Sequence, residues 1–301
     1  MIISASRRTD IPAYFAEWFL RRIEEQYAYV RNPINIHQVS RIALTPDLVD
    51  CIVFWSKNPR PLMDKLDRLD HYRYYFQFTL NAYDNEIERN LPLLDERIGT
   101  FQALSELIGR QRVIWRYDPI LLNSRYTIDW HIEQFDYIAD KLCPYTEKVT
   151  ISFIDLYRKI ASAVRREGIC ELSYEQKDII AKAFSRTAHA RRLKIDTCAE
   201  DIDLSRYHIE HARCIDGTLI SELLGFPMDT GKDKNQRPEC GCMASIDLGS
   251  YNTCQHGCVY CYANHNTDTR TRNFQAYDPA SPLLCSRLTK LDKVTERKIR
   301  P

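Results

Sequence analysis

The sequence predicts an α/β protein: a parallel (βα)6-type barrel, partial or closed and related to the TIM barrel, with a cysteine-rich, loop-rich C-terminal arm. Three observations predict it. Six short apolar runs recur along the first two thirds of the chain. Stretches with helical periodicity separate them. After about residue 205 the alternation stops, giving way to a polar, turn-rich region that holds seven of the eleven cysteines.

Taken in order, "IISAS" (2–6) is the first strand, and Asp10 is placed to cap a helix over "IPAYFAEWFLRRIEEQY". "CIVFWS" (51–56), "YYFQFTL" (74–80), "RVIWRY" (112–117), "VTISFID" (149–155) and "LKIDTC" (193–198) are dominated by Val, Ile, Phe, Tyr, Trp and Thr, as buried strands are. Between them, "RPLMDKLDRLD", "LPLLDERIGTFQALSELIG", "TIDWHIEQFDYIADKL" and "SYEQKDIIAKAFSRTAHARR" repeat the helical pattern. Such alternation implies parallel strands joined by right-handed crossovers. The absence of a dinucleotide-type glycine fingerprint favours a barrel over a doubly wound sheet. "IDGTLISELLG" adds one more helix. We therefore expect a barrel over residues 1–205 and a cysteine-rich region over 206–301 packed on the barrel mouth.

In a parallel barrel, chemistry collects at the C-terminal ends of the strands. Here those ends are polar: "SASRRTD", "WSKN", "TLNAYD", "WRYDP", "FIDLY" and "DTCAED". They place Arg7, Arg8, Lys57, Asn58, Arg116, Asp118, Asp155 and Glu200 around one mouth. A structural ion pair or helix cap explains any one of them as well as catalysis does, but the set marks a functional face. Arg7, Arg8, Arg116 and Asp118 are the expected substrate-binding and catalytic groups.

Bulk properties narrow the function classes. A formal net charge of +1 gives no global attraction to nucleic acid or to membranes. Only "SRLTKLDKVTERKIRP" is locally basic, and it reads as a solvated tail or terminal helix. No apolar run approaches the roughly 18 residues of a membrane span, and the first residues do not resemble a signal peptide. A cytoplasmic location is expected, where clustered cysteines bind metal or do redox chemistry rather than form disulfides.

Cys254, Cys258 and Cys261 lie in "TCQHGCVYCYAN" at C-x3-C-x2-C spacing, with Gly257 allowing a tight turn. Structural zinc takes four ligands, commonly from two C-x2-C pairs, and iron–sulfur clusters prefer four thiolates. Three thiolates on a cubane leave one iron open to a substrate or cofactor. "CQHGCVYC" resembles the cluster motif of the radical S-adenosylmethionine enzymes, with Tyr260 in the aromatic place, and "YAN" resembles segments found after that motif in the spore photoproduct lyase branch. The resemblance implies a [4Fe–4S] cluster on the three cysteines, S-adenosylmethionine on the fourth iron, and hydrogen abstraction by a 5′-deoxyadenosyl radical supplied with an electron by a reducing donor. In that class the triple lies just after the first strand; here it begins at residue 254, and no glycine-rich segment for the methionine amino group is found, a role for which Glu200 or Asp201, after strand six, could substitute. "ISASRRTDIPAYFAEWF", "IVFWSKNP", "RVIWRYDPI", "KDKNQRPECGC" and "YNTCQHGCVYCYAN" together resemble the family described as domain of unknown function 1848, nearly end to end. That family implies no particular reaction.

Cys198, Cys214, Cys240 and Cys242 come from separate segments and suit an auxiliary cluster or a zinc ion, or, for Cys198 and Cys214, simple burial. Cys51, Cys143, Cys170 and Cys285 read as structural. Lys232, Lys234 and Arg237 in "GKDKNQR" lack phosphate-loop spacing but could hold an anionic group of a ligand. His256 and His265 flank the triple as candidate ligands or proton donors. Tyr251, Tyr260 and Tyr262 are placed to cover a cluster and exclude water. Against a radical enzyme acting on a small-molecule or nucleic-acid-derived substrate stand two alternatives: a nucleic-acid-acting protein with a structural cluster or zinc, and an electron-transfer or redox-sensing module.

Overall fold

A computed structural model describes residues 1–228 and 231–297. The elements are β1 (Ile2–Ala5), α1 (Ile11–Tyr14), α2 (Ala16–Glu24), β2 (Tyr27–Arg31), β3 (Gln38–Ala43), β4 (Cys51–Ser56), α3 (Arg60–Met63), β5 (Tyr74–Thr79), α4 (Leu94–Ile108), β6 (Val113–Ile120), α5 (Ile128–Leu142), β7 (Lys148–Phe153), α6 (Ala161–Arg166), α7 (Tyr174–Ala190), β8 (Lys194–Thr197), β9 (Glu210–His211), α8 (Gly217–Leu224), β10 (Ile246–Asp247), α9 (Thr267–Gln275) and β11 (Lys293–Glu296).

Eight strands form one parallel sheet in the order β10-β1-β4-β5-β6-β7-β8-β9. The six central strands are the six expected from the sequence, each within a few residues of its predicted bounds. β9 and β10 extend the two edges, and among the described residues they form no ladder with each other. The period-two alternation of each strand assigns its side chains to two faces. Phe54, Phe76, Trp115 and Ile151 point into the main core with the helices, whereas Ile2, Cys51, Val53, Tyr75 and Ile114 face inward. The inward face is covered by the segment that joins β9 to β10: Ala212, Cys214, Ile215, Ile220, Cys240, Cys242 and Met243 pack there. The chain after residue 205 thus lines the inside of the sheet as well as its mouth.

Aromatic stacking fastens the helical layer. Phe135 of α5 lies 3.8 Å from Phe184 of α7, nearly parallel, and 5.0 Å from Trp115 of β6. Ser173 begins α7 with a reciprocal cap: its side chain accepts from the Gln176 N–H, and the Gln176 side chain accepts from the Ser173 N–H.

Three local features differ from expectation. The helix expected from residue 11 to 27 is broken at Phe15, whose buried ring packs 5.1 Å from Tyr277 and whose φ of −133° is not helical. An antiparallel hairpin, β2 with β3, comes next in the chain. The basic stretch expected as a tail or terminal helix contains β11, paired in parallel with β3 and clamped by Arg31 donating to both oxygens of Asp292 at 2.6 and 3.0 Å; its last four residues lie outside the described ones. No helix among the described residues is long and apolar enough to cross a membrane.

Phe184→Ala removes the α7 ring that stacks on Phe135 of α5 and packs edge-on against Tyr117 of β6. It is expected to cost ~3–5 kcal/mol in denaturant unfolding, with the m-value unchanged.

Candidate functional site: two cysteine groups on one sheet

The loop carrying the cysteine triple is seated over the C-terminal ends of β1, β4 and β5. Backbone pairing fixes it to the segment after β5: Asn90 N–H donates to His256 O at 2.9 Å, and Val259 N–H to Ile87 O at 3.0 Å. Asn264 closes the loop on itself. Its Oδ1 accepts from the Thr253 and Cys254 N–H groups at 2.8 and 2.9 Å, and its Nδ2 donates to Arg8 O at 3.0 Å and Cys261 Sγ at 3.5 Å. Gly257 has a φ of +71°, and a Cβ there would lie 3.3 Å from Asn90 Nδ2. The positive φ favours glycine here, and any side chain would have to push the Asn90 amide aside by a few tenths of an ångström.

Two buried carboxylates anchor this loop to the sheet. Asp10 accepts from Ala13 N–H at 3.0 Å, Ser56 Oγ at 2.8 Å and Lys57 N–H at 2.7 Å, and its Oδ2 lies 2.7 Å from His256 Nε2. Tyr14 OH sits 3.0 Å from the other ring nitrogen of His256. Glu88 takes Lys57 Nζ at 2.7 Å, Arg97 at 3.2 Å, Asn81 at 3.2 Å and the Tyr260 hydroxyl. Burial alone would raise the Glu88 carboxyl, but Lys57 and Arg97 outweigh it and hold it below the usual range. Burial pushes the Cys254 thiol up to about 12 and Cys258 well above its ordinary value. The His256 and Asp10 backbone N–H groups oppose the shift at Cys254, and Lys57 opposes it at Cys258.

The second group lies on the inner face. Arg116 of β6 donates to Cys214 Sγ at 2.9 Å, to Gln77 at 3.3 Å and to Asp118 at 2.9 Å; Asp118 also takes the Ser152 hydroxyl. Burial works against the charge of Asp118, yet Arg116 and Ser152 keep its carboxyl below the usual range. Cys214 Sγ is 3.4 Å from Cys198 Sγ, Ile215 N–H donates to Cys242 Sγ at 3.4 Å, and Tyr75 and Gln77 both donate to the Cys214 carbonyl. The sulfurs run as a chain, Cys198–Cys214–Cys242–Cys240. Trp55 lies between two guanidiniums, Arg7 at 5.0 Å and Arg116 at 5.3 Å. Two N–H groups here, Arg7 Nη2 and Trp55 Nε1, are buried with no hydrogen-bond partner among the described residues.

Asn81 joins the two groups. Its side chain bonds the Asp118 backbone through both amide atoms, at 2.8 and 2.9 Å, and reaches Glu88 and Tyr260 at the rim.

Of the residues predicted from sequence, Cys254, Cys258, Cys261 and Tyr260 meet at the rim, with Arg8 beside them over Tyr251 at 5.1 Å. Arg7, Arg116, Asp118, Cys198, Cys214, Cys240 and Cys242 meet on the inner face. Glu200 is buried behind β7, accepting from Phe153 N–H at 2.8 Å and Lys177 Nζ at 3.4 Å; burial raises its carboxyl to about 7. Arg237 pairs with Asp155 at 2.8 Å, and Lys234 is exposed on the same loop. His256 serves as the buried partner of Asp10, while His265 is exposed. Glu88, Asn264, Asp10 as a loop anchor and Trp55 were not singled out by sequence. Asn81 stood in a marked strand end, "TLNAYD", the one signal that pointed to it.

Among the described residues, no three His, Cys, Asp or Glu side chains already surround a metal position. The donor chemistry fits metal binding nonetheless. The three rim cysteines lie on one loop, Cys254 buried and Cys258 and Cys261 half-buried, and N–H groups face two of their sulfurs.

These features define an α/β protein with a parallel sheet whose inner face and rim are lined by thiols and buried ion pairs. The chain belongs to the family described as "Domain of unknown function (DUF1848)", whose model matches residues 2–263. No protein of curated function matches it. A solved structure from Bacteroides thetaiotaomicron VPI-5482, provisionally named an alpha-L-fucosidase, covers 75% of this chain and 84% of its own at 13% identity and a TM-score of 0.27. At that score it bears on neither fold nor function.

Asp10→Ala strands His256 and three donors in a buried site. It is expected to cost ~3–5 kcal/mol and to expose the 252–264 loop to protease before global unfolding, whereas Asp10→Asn keeps part of the hydrogen bonding and loses less. Glu200 gives a pH signature. Between about pH 4.5 and 7 the folded chain keeps a proton that the unfolded chain has released, so stability falls as pH rises through that window, by up to ~3 kcal/mol. Glu200→Gln should flatten that slope in urea titrations at pH 5 and pH 7.5.

Proposed function

We propose that the protein is a [4Fe–4S] enzyme of the radical S-adenosylmethionine type, with the cluster on Cys254, Cys258 and Cys261. The observation that carries the reading is a three-cysteine loop, half-buried and pinned on both sides, over the C-terminal end of a parallel sheet. A bound cluster with one open iron would supply reductive cleavage of S-adenosylmethionine. The protein's own part is positioning and shielding. Asn264 and the backbone N–H groups of Asp10 and His256 face thiolate sulfur and favour its charged state. Lys57 sets a positive charge beside Cys258, and Tyr260, held by Glu88, walls the site from water.

Arg116 and Asp118 are committed to each other, so the Arg116 side chain serves mainly to shape the interior. Substrate contact falls to Trp55, whose buried N–H has no hydrogen-bond partner among the described residues and suits an oxygen acceptor of a small molecule. A cytoplasmic setting with a reducing electron donor is part of this reading, because a cluster of this kind has to be reduced before it acts.

Anaerobic reconstitution with iron and sulfide, then electron paramagnetic resonance of the reduced protein, tests it. The expected result is a [4Fe–4S] signal that shifts when S-adenosylmethionine is added and disappears in Cys258→Ser. A signal indifferent to S-adenosylmethionine would sink the radical assignment, and no signal would sink the cluster. Because burial holds Cys254 and Cys258 protonated, cluster uptake has to release protons; its extent should fall as the reconstitution pH is lowered from 9 to about 7.

A further inference from the structure

We propose that Cys198, Cys214, Cys240 and Cys242 form a second, closed metal centre of four thiolates on the inner face of the sheet, independent of the rim loop. The four sulfurs come from three separate stretches: the end of β8, the turn after β9, and the strand-like segment that returns beside residues 212–215. That return is fixed by backbone bonds, Asp233 N–H to Cys242 O at 2.9 Å and Met243 N–H to Ile215 O at 3.1 Å. Gly241 lets the two cysteines flank a close approach, since a Cβ there would lie 2.9 Å from Arg213 Cγ. Small buried hydrophobes would need none of this.

Charge is the stronger argument. Two guanidiniums face these sulfurs. Arg116 shares one carboxylate, Asp118, and donates directly to Cys214 Sγ. Among the described residues, Arg7 makes no ion pair. Asp247, which acts on Arg7 through its charge, has its oxygens taken by the Ser4 and Ser6 hydroxyls and by the Arg7 and Gly249 backbone N–H groups. A half-buried guanidinium with no direct ion pair is costly, and four neutral thiols do not offset it. Four thiolates around a divalent zinc ion, or around a [4Fe–4S] cluster in its oxidised state, carry two net negative charges; the charge of Arg7 offsets part of this, and Arg116, though paired with Asp118, donates a hydrogen bond to the Cys214 sulfur. The sulfurs now lie in a chain rather than around a point, so filling the site requires rotamer changes at the cysteines, with the backbone already in place. Ligand count separates this site from the rim. Four ligands saturate zinc or a cubane, which makes this centre structural or electron-carrying rather than substrate-binding.

The test removes the rim site first. The variant carrying C254A, C258A and C261A, purified anaerobically, should retain one zinc ion or one four-iron cluster per chain, told apart by metal analysis, acid-labile sulfide and visible absorption. Adding C240A and C242A should lower that content at least tenfold, whereas adding C51A and C285A should leave it unchanged. Cobalt(II) titration of the metal-stripped rim variant needs no further substitution and should give the charge-transfer absorption of a tetrahedral tetrathiolate. The proposal is overturned if the folded rim variant holds only background metal and gives no thiolate–cobalt bands, or if metal survives C240A with C242A. Because the rim cysteines are absent throughout, these outcomes are read separately from the fate of the rim cluster.

Discussion

The carboxylate of Asp10 is the constraint on which the rim depends. It caps α1, holds the backbone and hydroxyl at the end of β4, and fixes His256 inside the cysteine loop. Each contact alone is an ordinary hydrogen bond. Together they meet at a buried anion whose solvation is replaced entirely by protein donors, so loss of any one is felt by the others. The arrangement sets the loop's position from the first strand of the sheet rather than from its own sequence. A cysteine triple far along the chain thereby arrives at the strand ends, where parallel α/β sheets place their chemistry.

Around that anchor the molecule keeps two thiol groups in contrasting surroundings. At the rim, three cysteines sit beside a lysine, a histidine–aspartate pair and a tyrosine sealed by Glu88. On the inner face, four cysteines sit beside two arginines and a stacked tryptophan. Asn81 spans both, bonding the backbone of Asp118 and the side chains that seal the rim. Its two amide atoms are consumed in this bridge, so the relative placement of the groups is rigid at that point.

Much of the sheet was legible from sequence because its central strands are buried on both faces, which makes them dense runs of β-branched and aromatic residues that stand out from amphipathic helices. The cysteine triple was legible for a different reason: its spacing is local. What escaped was long-range. β3 gains its second neighbour from a segment about 250 residues later, and no local pattern in "KVTE" announces that pairing. The helix from residue 11 breaks at Phe15 because a distant aromatic, Tyr277, receives the ring. Glu88 looked like one acid among many; its burial comes from Lys57, Arg97 and Tyr260 converging from three segments. In "GKDKNQR" a run of charge suggested ligand contacts, whereas Arg237 spends its charge on Asp155 and Lys234 faces solvent.

The edge strand β10 lies in parallel on β1, and Ser4 reaches Asp247 across 243 residues of sequence. β1 is made well before β10, so its outer edge stays uncovered until the other central strands of the sheet have been made. Closure over so long a loop is slow, because the entropy of joining its ends must be overcome before any contact rewards it. The rim loop comes directly after β10, so it is seated once that closure is complete. In the interval the exposed edge of β1 is what chaperones would meet.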